Sequence, residues 1–101
     1  MNEIHHNICR MLEKELYNKF GDTYIFTYID YFNKDKSVLN ITCEDKKVNE
    51  IKSYIDEIYM FKSFPKGVKV WDSFKDRISY LVNDEDLEKM EAILRIKGYG
   101  K

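Results

Sequence analysis

His5 and Cys9 stand four residues apart near the start of the chain, with His6 between them and a second thiol at Cys43. On one helix a His and a Cys at i and i+4 lie on the same side, and a further thiol could complete a zinc site with mixed nitrogen and sulfur ligands. The same pair has the spacing of a thiol nucleophile and its base. Both readings are weak: there is no second close pair of ligands, and His5 and Cys9 fall in the arc that the neighbouring apolar residues mark for burial. Cys43 precedes an expected helix, whose N-terminus lowers a thiol pKa, but Glu44 and Asp45 beside it act the other way. The expectation is two reduced, buried thiols, with no metal and no cofactor.

Carboxylates cluster at Asp84, Glu85, Asp86 and Glu88, and again at Glu44 and Asp45. Both clusters open expected helices, where acidic side chains favour the helix dipole, and neither has the alternation of a calcium loop. The four glycines are scattered and form no phosphate-cradling loop. No residues are therefore expected to be catalytic, and the chain reads as a non-enzyme.

Binding chemistry is better represented. Residues 24–32 are almost wholly aromatic or β-branched, the composition of a strand. Alternation sends Ile25, Thr27, Ile29 and Tyr31 to one side and Tyr24, Phe26, Tyr28 and Phe32 to the other, so both faces carry apolar side chains. A basic set follows later in the chain: Lys62, Lys66, Lys69, Lys75 and Arg77, around the single tryptophan, Trp71. Tyr24, Phe26, Tyr28, Lys69, Trp71, Lys75 and Arg77 are the candidate partner-binding residues. Such a surface suits a protein interface, where Tyr, Trp and Phe are enriched and charge near neutrality is no handicap. The alternative is a single-stranded nucleic-acid binder that stacks bases on the sheet. The basic-glycine-aromatic opening of an RNA-recognition motif is absent, as is its strand-helix-strand order. The bland reading is that a helix covers these rings.

The elements that position these residues follow from periodicity. Ile4, Ile8, Met11, Leu12, Leu16 and Phe20 predict an amphipathic helix over residues 3–20, closed by Gly21. The long strand ends at the polar stretch 33–36, and 37–43 alternates as its antiparallel partner in a hairpin. Val48, Ile51, Ile55 and Ile58 predict a helix over 45–61, stopped before Pro65. Residues 68–72 alternate as a short strand. Residues 73–82 read either as a helix with Phe74, Ile78 and Leu81 inward or as a loop into a strand over 78–82, and the alternation of Ile78, Tyr80 and Val82 favours the strand. Asn83 caps a last helix carrying Leu87, Met90, Ile93 and Leu94. The predicted fold is a single α+β domain spanning 1–101, in the order α-β-β-α-β-β-α, with a mainly antiparallel four-stranded sheet and three helices.

The bulk properties narrow the class. A chain of 101 residues is one domain, and its net charge of −1 favours neither a basic nucleic-acid binder nor an acidic DNA mimic. Residues 1–61 carry −3 and residues 62–101 carry +2, a mild asymmetry. The N-terminus lacks the basic and apolar regions of a secretory signal, and no apolar run is long enough for a membrane span, so a cytoplasmic protein is expected. With 14 Lys, 11 Ile and a single Ala, the composition leans to A/T-rich codons. Size and architecture are similar to those of many small accessory proteins of phages and mobile elements, including inhibitors of bacterial defence systems. The resulting expectation is a small module that binds another protein, with a homodimer also compatible.

Overall fold

The computed structural model describes residues 3–21, 23–59 and 77–100. α1 (Glu3–Phe20) turns Ile8, Cys9, Met11, Leu12 and Leu16 inward, as their spacing of threes and fours requires. It stops at Gly21, whose φ of +78° suits a residue without Cβ and whose amide donates to the Tyr17 carbonyl at 2.9 Å.

β1 (Ile25–Asn33) and β2 (Lys36–Cys43) form the expected antiparallel hairpin, with Ile25 opposite Cys43 and Ile29 opposite Leu39. The turn is set by Asn33, whose side-chain oxygen accepts from the amides of Asp35 and Lys36, both at 3.0 Å. The chain then takes a 3-10 turn, Asp45–Lys47, before α2 (Val48–Tyr59). β3 (Arg77–Asn83) settles the ambiguity over 78–82 in favour of a strand. α3 (Asp84–Ile96) begins with a reciprocal cap: Asn83 accepts from the Asp86 amide at 2.8 Å, and Asp86 accepts from the Asn83 amide at 3.1 Å.

The sheet order is β1-β2-β3, antiparallel throughout. The four-stranded expectation is thus corrected to three strands among the described residues. β2 is paired on both sides, so the long hairpin needs only β3 to centre it. The expected strand at 68–72 lies outside the described residues.

The registers decide what each face contains. Ile25, Thr27 and Ile29 share a face with Leu39, Ile41 and Cys43 and with Ile78, Tyr80 and Val82. All of these but the buried, polar Thr27 join the buried residues of all three helices in one core, which includes Leu12, Leu16, Ile51, Ile55, Met90 and Leu94. Phe26, Tyr28, Val38 and Leu81 alternate to the opposite face and take no part in that core. Tyr31 points by alternation toward the helices yet is 80% exposed, and the last four residues of β1 are all exposed. No helix among the described residues is long and apolar enough to cross a membrane.

Candidate interaction surface

On the face away from the core, cross-strand pairing sets side chains in rows: Phe26, Thr42 and Arg77; then Tyr28, Asn40 and Ser79; then Asp30, Val38 and Leu81. The first two rows form the candidate site. The rings of Phe26 and Tyr28, two residues apart on β1, lie 5.4 Å between centroids at an interplanar angle of 34°. The Arg77 guanidinium sits 5.7 Å from the centre of the Tyr28 ring, within reach of the ring's negative face. With Tyr24 and Thr42 these side chains line a depression of about 280 Å³. Tyr24 and Phe26 remain 58% and 49% exposed, whereas Ile25 between them is buried.

The middle of the face is polar but satisfied. Asn40 and Ser79 are both buried, and the Ser79 hydroxyl donates to the Asn40 side-chain oxygen at 2.7 Å. The Asn40 amide group in turn donates to Asp30 at 3.4 Å and to the Val38 carbonyl at 3.3 Å. This ladder ties all three strands together beside the aromatic rings.

Of the candidate residues read from the sequence, the fold brings together Tyr24, Phe26, Tyr28 and Arg77. Lys69, Trp71 and Lys75 lie outside the described residues, as do Lys62 and Lys66. Cys9 and Cys43 are buried, and neither is in a disulfide. Burial pushes the Cys9 thiol up to about 11, against a smaller opposing effect of its hydrogen bond with Thr27. Such a thiol is a poor nucleophile at neutral pH. Among the described residues, no three His, Cys, Asp or Glu side chains gather to hold a metal ion.

One cluster escaped the sequence reading. Glu15 on α1 is only 2% exposed and accepts from Tyr59 at 2.5 Å and Tyr54 at 2.7 Å, while Lys97 lies 2.8 Å away. Burial alone would raise its pKa, but Lys97 and the two hydroxyls outweigh that and hold the carboxyl below its usual range. The signal was available: position 15 follows Met11 by four and Leu12 by three, inside the apolar stripe. The cluster joins α1, α2 and the end of α3 and reads as a structural tie. Glu13, on the same helix, accepts from the Thr27 amide at 2.7 Å and from its hydroxyl at 3.0 Å.

No protein-family model, curated protein or solved structure matches the chain.

Proposed function

We propose that this chain is a non-catalytic module that binds another protein through the aromatic side of its sheet. The carrying observation is the cluster of Tyr24, Phe26, Tyr28 and Arg77 around one depression, with Tyr24 and Phe26 about half exposed. Aromatic rings and arginine are the side chains that contribute most to protein-protein binding per residue, because they bury large areas with few rotatable bonds. A net charge of −1 also suits a protein partner better than a polyanion. The size, the architecture and the A/T-rich composition support a role as an inhibitor or modulator of a host complex, encoded by a phage or mobile element and acting in the cytoplasm.

The test compares the intact chain with a Phe26→Ala/Tyr28→Ala variant as bait in a bacterial host lysate. A specific protein retained by the intact chain and lost from the variant, with both baits equally folded, is the expected result. Equal retention by both baits overturns the reading. So does binding of oligothymidylate that collapses steeply as salt rises, which would instead mark a nucleic-acid binder.

A further inference from the structure

The outer edge of β1 is occupied over only half its length. Tyr17 of α1 donates its hydroxyl to the Ile25 carbonyl at 2.7 Å, and Glu13 accepts from the Thr27 amide at 2.7 Å. Both main-chain groups therefore point away from β2, and by strand alternation those of Ile29 and Tyr31 do as well. Among the described residues nothing bonds these outward groups. Ile29 itself is buried, whereas Asp30, Tyr31 and Phe32 beyond it are exposed, Tyr31 at 80% and Phe32 at 55%. An exposed edge of this kind pairs readily with another strand unless it is blocked.

We propose that the edge of β1 at residues 29–31 receives a short extended segment of the partner protein as an added strand. The proposal rests on the reading above and extends it, since the same strand carries Phe26 and Tyr28. The occupant follows from the groups on offer. Outward amides and carbonyls are matched by another extended backbone, and Tyr31 and Phe32 offer apolar area to its side chains. The exposed Asp30 carboxylate favours a basic residue on the incoming segment. A second copy of this chain fits poorly. Pairing Ile29 with Tyr31 of the copy sets Asp30 against Asp30, and a register centred on Tyr31 meets the slip between Tyr31 and Asn33.

A displayed library of linear peptides of about twelve residues, panned against the full chain, supplies the probe. Enriched peptides are expected to alternate apolar residues around a basic one and to slow amide exchange at Ile29 and Tyr31. Tyr31→Pro removes one outward N–H while leaving the β2 pairing intact, and should weaken these peptides about tenfold or more. Should that variant melt early, amide exchange in the unaltered chain decides alone. No enriched peptide, or peptides that leave Ile29 and Tyr31 exchange unchanged, overturns the proposal. So does a dimer of the unaltered chain that Tyr31→Pro dissolves. Peptides lost with Phe26→Ala/Tyr28→Ala but indifferent to Tyr31→Pro overturn strand addition alone and leave the aromatic-face reading standing.

Discussion

The ammonium of Lys97, just beyond α3, lies 2.8 Å from the carboxylate of Glu15 in the fourth turn of α1. The contact is unequal: the Lys97 side chain is one-third exposed, whereas that of Glu15 is 2% exposed. Removing each partner should therefore cost different amounts. Glu15→Ala strands Tyr59 and Tyr54 without their acceptor and opens a void, so a loss of about 3 kcal/mol or more is expected. Lys97→Met leaves the carboxylate with two hydroxyl donors, and a solvent-screened cost of about 1 kcal/mol is expected. Urea unfolding of the two variants measures both. A larger loss for Lys97→Met would show that the tyrosines do not hold the charge.

The same cluster sets limits on stability with pH. Glu15, held below its unfolded value of about 4.3, contributes stability above that value and loses it as pH falls through the folded pKa. Burial raises Tyr59 and Tyr80, each also donating to a carboxylate, Glu15 and Asp56 respectively. Lys97 is raised by its bond to Glu15. These three contribute stability below unfolded values of about 10 and lose it as pH rises. The melting temperature should be flat between about pH 5 and 9 and fall on both sides. Glu15→Gln should blunt the acid fall, and an unchanged acid limb in that variant would remove Glu15 from the account.

Two double variants on β1 separate its faces. Ile25→Ala with Ile29→Ala empties the core, at about 2–5 kcal/mol per residue, and could consume most of a domain's usual 5–15 kcal/mol. Phe26→Ala with Tyr28→Ala removes half-covered rings, and about 1 kcal/mol apiece is expected from the smaller area lost. Thermal melts compare the pairs directly. Equal, large losses would mean that the aromatic side is covered as thoroughly as the core.

The thiols supply a probe of opening. With Cys9 pushed up to about 11 by burial, iodoacetamide at neutral pH should modify native protein only as fast as the chain unfolds. Alkylation that keeps its rate on adding a stabilising osmolyte would place Cys9 nearer the surface than described.

Local patterns made most of this architecture legible. The stripe of α1, the Asn33 turn and the Asn83 cap each write their geometry in neighbouring residues, so short windows sufficed. Which sheet face the helices choose is different. An amphipathic helix shows that it buries a stripe, but not against which side of a two-sided strand such as β1. Tyr31 illustrates the loss: its alternation is right, but alternation does not tell how far along β1 the buried layer extends. Glu15 was missed because a charged residue in an apolar stripe is ordinarily discounted, and its partners Tyr54, Tyr59 and Lys97 lie far along the chain. Arg77 was grouped with Tyr28 only through charge and aromaticity, while their contact depends on the β2–β3 register, which no local pattern carries.

The central place of β2 also orders events during synthesis. Its first edge is filled at once, because β1 precedes it across a two-residue turn, but its second waits for β3, with Lys36 opposite Asn83. Until then a growing chain holds a two-stranded sheet, which is marginal in water, with the main-chain groups of β2 unpaired along one edge. Lys97 emerges later still, so Glu15 stays hydrated until α3 arrives. Cooperative closure therefore waits for residues 77–97, and a ribosome stalled before residue 77 presents a half-paired strand to the chaperones around it.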